Sequence, residues 1–312
     1  VFNADGTLEA YKSASDANNS ITRVDNIPVT SGSKKVFVLA NYVGDASSIK
    51  SIADLNKAVA DLTNEKDNGR LTMSTNIVEV AVAPGKNYIG YTSVPTGATT
   101  LAPNVYTLTR LASIVKITDM QWPQSTYEYT FEDQTAFILN GAKNSPLVAA
   151  AATALPTSYY QGFLGTGDLF PSEATNTVAD FFKTAASNNQ TYFYVYENQP
   201  VADKIYPTIL VIRAKVKQRV GGALVKDIPG RVDSEGYTYF PVTVNLSGIN
   251  STVSGVTDSH KYIKRNNQYS ISTSVRGLGV SNPFNSQDPS SIYVQVSVAP
   301  WALKISQSVV FE

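Results

Sequence analysis

The chain of 312 residues contains no cysteine, one histidine, two methionines and two tryptophans. Without cysteine it has no disulfide, no thiolate metal ligand and no thiol nucleophile. Any Ser-His-Asp triad would have to use His260, and a single imidazole with no thiolate beside it cannot supply the usual zinc ligands. Charge is scarce: 16% of the residues are charged, 25 basic against 25 acidic. That balance argues against nucleic acid or an anionic membrane as the main partner. Long apolar runs are missing too. The longest, near Val36 to Val43 and Leu147 to Leu155, fall short of the ~18 to 20 residues that span a bilayer.

What the chain does have is tyrosine, 18 of them, with much Ser, Thr and Asn. This composition is that of a secreted or surface β protein. The length sets an expectation of two domains of about 150 residues, each able to bury its own core. The chain starts at Val1, and Phe2 runs straight into an Asn-Ala-Asp-Gly turn. A processed product is expected, with a first strand cut short and a segment missing upstream.

Most periodic segments alternate with period two. Lys34 to Tyr42, Ile77 to Val82, Tyr88 to Thr92, Val105 to Arg110 and Ser113 to Met120 read as strands, with Tyr127 to Phe131 and Ala136 to Leu139 as a further pair. In the second half Thr191 to Glu197, Pro207 to Val216, Tyr237 to Leu246, Gln268 to Gly277 and Ile292 to Val298 read likewise. One helix is expected over Ser51 to Asn64, where Ile52, Leu55, Val59 and Leu62 recur at helical spacing and Ser51 with Asp54 forms a capping box. A second is expected over Thr175 to Ala186. Periodicity fades between Gly141 and Pro171, which places the domain boundary near residue 155. The expected fold is mainly β, two β-sandwich domains over residues 1–155 and 156–312 with one or two short helices.

The C-terminus has the clearest pattern. Ile292, Val294, Val296 and Val298 alternate with polar or small residues, Pro300 breaks the run, and Trp301, Leu303, Ile305, Val309 and Phe311 alternate again to the end, interrupted at Gln307. A terminal strand patterned this way must bury one face, in its own molecule or in another. Burying those five side chains at about 1.5 to 3 kcal/mol each gives a gross term near 7 to 15 kcal/mol before the cost of ordering the tail.

Candidate chemistry is thin. His260 sits in a polar Asp-Ser-His-Lys stretch and reads as an exposed loop histidine. Asp233-Ser-Glu-Gly236 offers two carboxylates to calcium but lacks the EF-hand spacing, so a hairpin turn explains it better. Gly162-Phe-Leu-Gly-Thr-Gly-Asp168 is glycine-rich, yet no Lys-Ser/Thr follows and no strand-loop-helix context surrounds it. The pairs Glu132 with Asp133 and Asp168 with Glu173 could serve a glycosidase only if two carboxylates faced one another, and surface acids are the default. Tyr192, Tyr194 and Tyr196 share one face of a strand, open to sugar stacking or to half-buried packing; Phe193 and Val195 take the core side. No catalytic centre and no cofactor are expected.

Several colinear segments together resemble the FimA-type fimbrillins, the major fimbrial subunits of Bacteroidales. They are Thr191-Tyr-Phe-Tyr-Val-Tyr-Glu-Asn198, Tyr206-Pro-Thr-Ile-Leu210, Asp233-Ser-Glu-Gly-Tyr-Thr-Tyr-Phe-Pro-Val242, Ile263-Lys-Arg-Asn-Asn-Gln-Tyr-Ser-Ile271, Gly277-Leu-Gly279 with Asn282-Pro283, and Val294-Gln-Val-Ser-Val-Ala-Pro-Trp301. In the first half, Phe2-Asn3 through Ala10-Tyr-Lys-Ser-Ala14, Val36-Phe-Val-Leu-Ala-Asn41 and Ala83-Pro-Gly-Lys-Asn-Tyr-Ile-Gly-Tyr91 match as well. The resemblance implies two transthyretin-like domains in a type V pilin, exported through a lipoprotein intermediate at the outer membrane. It further implies that an arginine-specific protease removes an N-terminal strand, and that a neighbour's C-terminal segment, here about Trp301 to Glu312, fills the groove. Family members usually keep a stretch before Val1-Phe2, so the first sheet is expected to lack an edge strand. The implied partners are other copies of the subunit, accessory fimbrial subunits, and host surface proteins or glycans. The rival readings are an accessory or tip adhesin on the same fold and, from another class, a carbohydrate-active enzyme on a β scaffold.

Overall fold

The computed structural model describes residues 1–15, 23–65, 70–91, 93–149, 158–165, 182–184, 191–199, 206–245, 260–285, 292–301 and 305–311. Strands dominate them. The chain separates into two compact units, Val1–Leu111 with Ser145–Ala154 and Ala302–Glu312, and Ala112–Asn144 with Leu155–Trp301. The expected single line near residue 155 thus gives way to a chain that changes unit at residue 112 and returns twice. The first crossing is hidden in the sequence because one strand ends at Arg110 and the next begins at Ala112, with no turn residues between them.

The first unit is built from β1 (Phe2–Asn3), β2 (Arg23–Ile27), β3 (Gly32–Val36), β4 (Leu39–Ala40), β5 (Val59–Asp61), β6 (Met73–Ser74), β7 (Val78–Val82), β8 (Asn87–Ile89), β9 (Thr99–Leu101) and β10 (Tyr106–Arg110). The expected strand Lys34 to Tyr42 is split. β3 pairs with β1 and β7, whereas β4 pairs with β6 in a different sheet, and Phe37-Val38 carries the chain across. The edge of the three-stranded sheet β1-β3-β7 is supplied by Phe2–Asn3 itself. Ile27, Val36, Val80, Val82, Ile89, Leu101 and Tyr106 form the core, drawn from both sheets as a sandwich requires.

The helix α1 covers Ile52–Lys57 only. Its start matches expectation: Ser51 Oγ accepts the Asp54 N–H at 3.1 Å and donates to Asp54 Oδ2 at 2.8 Å, while that carboxylate accepts the Lys50 N–H at 3.1 Å. Its end does not. Ala58 turns extended, and Val59–Asp61 pairs with β14 (Asn144–Pro146), so ladder bonds outcompete further helical turns.

The second unit contains β11 (Ala112–Gln121), β12 (Tyr129–Leu139), β13 (Gly141–Ala142), β15 (Tyr159–Tyr160), β16 (Phe182–Thr184), β17 (Tyr192–Tyr196), β18 (Ile209–Gln218), β19 (Tyr237–Thr243), β20 (Asn267–Val275) and β21 (Ile292–Pro300). They form sheets ordered β17-β11-β20-β21 and β16-β12-β18-β19. The expected pair Tyr127 to Phe131 and Ala136 to Leu139 is one strand, β12, interrupted by a bulge between Glu132 and Thr135 where Asp133 takes φ 47°. Of the expected helix over Thr175 to Ala186, Phe182–Thr184 is a strand paired to β12; the rest lies outside the described residues. Ile209, Leu210, Val211 and Ile212 are all fully buried, so β18 is covered on both faces.

Candidate functional site

The last strand, β22 (Ile305–Phe311), belongs to the first unit. It is an interior strand of the sheet ordered β4-β6-β10-β22-β8-β9, with β2 added alongside it. Antiparallel to β10, Ile305 pairs with Leu108, Ser306 with Thr107 and Gln307 with Tyr106. Antiparallel to β8, Val309 pairs with Ile89, Val310 with Tyr88 and Phe311 with Asn87. Parallel to β2, Ser308 meets Arg23, Val309 meets Val24 and Phe311 meets Ile27. Take β22 out and the sheet falls into β4-β6-β10, β2 and β8-β9, with open edges toward the vacated slot.

The walls of this slot are built from buried side chains. Tyr106 and Leu108 of β10 and Ile89 of β8 are all inaccessible to solvent. The Tyr106 hydroxyl donates to the Val36 carbonyl at 2.7 Å, and burial pushes its pKa up to about 12. Asn87 closes the turn before β8: its Oδ1 accepts the Ala83 N–H at 2.9 Å and its Nδ2 donates to the Ala83 and Gly85 carbonyls at 2.7 and 2.8 Å. A cavity of about 680 Å³ opens in the same unit, and Val24, Ile27 and Leu108, each a register partner of β22, contribute to its lining together with Val36, Val38 and Leu39.

Of the five residues assigned to the terminal strand, Ile305, Val309 and Phe311 lie in β22 and Leu303 lies outside the described residues. Trp301 does not join the strand. It stays with the second unit, where its indole stacks on Tyr194 with ring centroids 6.0 Å apart and planes 14° from parallel, and its backbone N–H donates to the Asn266 carbonyl at 2.9 Å. The chain's own slot receives the C-terminal strand, a pairing the alternation pattern leaves equal with insertion into another molecule.

The other candidates resolve into packing. His260 is buried, its Nε2 2.9 Å from the Tyr269 hydroxyl, which corrects the expectation of an exposed histidine. No local pattern points to that partner, nine residues away on β20. In the Asp233 turn, Oδ1 accepts the Glu235 and Tyr237 N–H groups at 2.9 and 2.8 Å, and Oδ2 accepts the Tyr239 hydroxyl at 2.8 Å. Burial, then Asp233, raises the Tyr239 hydroxyl well above the ordinary tyrosine range. Glu132 pairs with Lys217 at 2.6 Å and Asp133 with Lys215 at 3.3 Å, each a surface ion pair across β12 and β18. Asp168 and Glu173 lie outside the described residues, as does the loop after Gly165. Along β17, Tyr196 is fully buried beside Phe193 and Val195, Tyr192 is exposed, and Tyr194 lies between Tyr192 and Trp301. Among the described residues no group of three or more His, Asp or Glu side chains could hold a metal.

The fold defines a class: two β-sandwich units, with the chain's last strand lying inside a sheet of the first. Comparison with known proteins gives the class its family. Residues 1–117 match the model of the major fimbrial subunit protein (FimA), and residues 112–301 match that of the FimA4 pilin C-terminal domain. The chain therefore belongs to the FimA family of fimbrial subunits. It is 29% identical to the major fimbrium subunit FimA type-2 of Porphyromonas gingivalis, with 97% of this chain and 82% of that protein covered. To the type-4 subunit of the same organism the identity is 27%, covering 95% and 80%. The crystal structure of a fimbrilin from P. gingivalis W83 superposes with a TM-score of 0.72 at 26% identity, covering 88% of this chain and 82% of that one. A crystal structure from Parabacteroides distasonis shares the fold with a TM-score of 0.64 at 19% identity, covering 88% and 84%. The chain is a structural subunit of a cell-surface fimbria, and its relatives are structural proteins rather than enzymes.

Proposed function

We propose that the subunit polymerises by strand exchange, with β22 of one copy entering the slot between β10 and β8 of the next. The observation that carries this reading is the interior position of β22 in a sheet whose other strands all come from the first 110 residues of the chain. An interior slot supplies main-chain partners on two sides and side-chain pockets at alternate positions, the requirements for capture of a donated strand. The intramolecular pairing then describes a closed subunit, and exchange replaces it with the same register in a neighbour. Equal bonds made and broken leave the balance to concentration and to relief of the closed form.

Adhesion is the role of the finished polymer in this proposal, and the lipoprotein route of export and the accessory subunits belong to the same expectation. The test is removal of residues 302–312. Electron microscopy should then show no filaments from a chain whose second unit keeps its fold by circular dichroism and proteolysis; filaments of normal length would overturn the proposal.

A further inference from the structure

From β21 the chain does not run directly into the exchanged strand. Pro300 is the last residue of the β21 ladder, opposite Asn267, and Trp301 continues it by one bond, from its N–H to Asn266 O. Its indole then lies on Tyr194 of β17, although β21 and β17 are opposite edges of the sheet β17-β11-β20-β21. Three strand spacings separate those edges, about 14 Å, so the Trp301 and Tyr194 side chains reach toward one another across the end of the sheet while the Trp301 backbone stays bonded to Asn266. Tyr194 is itself held by the antiparallel ladder to β11, opposite Ile114, and by an edge contact with Tyr192 at 5.5 Å. The division between the two compact units falls immediately after Trp301, and the match to the C-terminal domain model ends at the same residue.

We infer that Trp301 is a positioning residue for assembly: docked on Tyr194 of its own subunit, it roots the C-terminal arm, and the donated segment starts at residue 302. This deepens the strand-exchange reading and rests on it. An aromatic stack of this kind is rigid in direction as well as favourable, so it fixes where the arm leaves the second unit and limits how far the arm can reach. A Trp301 that travelled with the strand would instead be transferred to the neighbour's cavity on assembly.

The two alternatives differ in the surroundings of one indole. In a Trp122→Phe background Trp301 is the only tryptophan, so its emission and its quenching by acrylamide report on it alone. The rooted arm predicts the same emission maximum and the same quenching in monomer and in filament, and a several-fold rise in quenching when Tyr194→Ala is added, in either state. A blue shift and loss of quenching on assembly would overturn the inference, as would a monomer in which Tyr194→Ala changes nothing. Should Trp122→Phe fail to fold, 19F NMR of the full wild-type chain carrying 5-fluorotryptophan gives the same readout from two resonances. The exchange reading fails separately, if filaments persist without residues 302–312; the monomer measurement still decides where Trp301 docks.

Discussion

Glu9 and Lys34 meet at 2.6 Å within the first unit, their side chains only 15% and 5% exposed. Glu9 Oε1 also accepts the Thr30 N–H at 2.8 Å and its hydroxyl at 2.6 Å, while Lys34 Nζ donates to Asn3 Oδ1 and Thr30 Oγ1, both at 2.8 Å. The cluster pins the stretch after β1 to β3, beside the cavity that Phe2, Leu8 and Ala10 help to line.

Burial alone would raise the Glu9 carboxyl, but the hydrogen bonds from Lys34 and Thr30 and the Lys34 charge prevail, and its pKa lies below the usual carboxylate value. A depressed folded pKa stabilises the fold above the unfolded value, near ~4.3, and that contribution is lost as pH falls through the folded value. Glu9's contribution to the thermal midpoint of the first unit should therefore hold from neutral pH down to the mid-fours and be lost below. Glu9→Gln should remove Glu9's share of the acid dependence, leaving that of Asp5, Asp45 and Asp54, and, by leaving Lys34 buried without its counter-charge, cost about 3 kcal/mol. A titration of midpoint against pH for both proteins checks this.

Val309 lies in register between Val24 on one side and Ile89 on the other. Val309→Pro removes an N–H from an interior strand, and we expect capture of the strand to weaken by about 2 kcal/mol, roughly 30-fold. Filament yield at fixed subunit concentration is the measurement, with amide exchange of Ile89 and Leu108 rising in the monomer.

Gly279 lies against the backbone of β19. A Cβ there would stand 2.0 Å from Tyr239 O and 2.8 Å from its carbonyl carbon. Tyr239 and Val280 exchange both of their backbone hydrogen bonds at 2.8 and 2.9 Å, so the backbones cannot separate freely. Gly279→Ala should destabilise the second unit by about 3 kcal/mol. Denaturant unfolding followed through Trp122, which stacks on Phe131 at 5.0 Å in that unit, reports it.

Both Asp233 oxygens are engaged by protein donors. Calcium or a chelator should consequently leave the thermal midpoint unmoved, while Asp233→Ala, losing three hydrogen bonds at the start of β19, should cost about 2 kcal/mol. Calorimetry with and without calcium separates the turn from a cation site.

Strand patterning in the sequence carries most of the architecture, and fails where a third party decides. Residues 34 to 42 read as one strand, yet Phe37 and Val38 change sheets, because an apolar run records that residues are buried and not which neighbour buries them. Val59 and Leu62 sit at helical spacing from Leu55, but β14, more than eighty residues further on, supplies ladder partners that end the helix. The histidine is misjudged for the same reason, since Tyr269 lies on another element. At the terminal strand, alternation locates Ile305, Val309 and Phe311, and it also enrols Trp301, whose ring answers to Tyr194. Local pattern cannot mark the residue at which a chain passes from one unit to the next.

The pairing of Tyr106 with Gln307 joins positions roughly two hundred residues apart. At 5 to 20 residues per second, a ribosome that has finished β10 needs about 10 to 40 seconds more to produce the strand that lies beside it. Through that interval β22 itself is not yet there to pair with β8 or β10. The half of the molecule that is synthesised first is thus the half that is finished last.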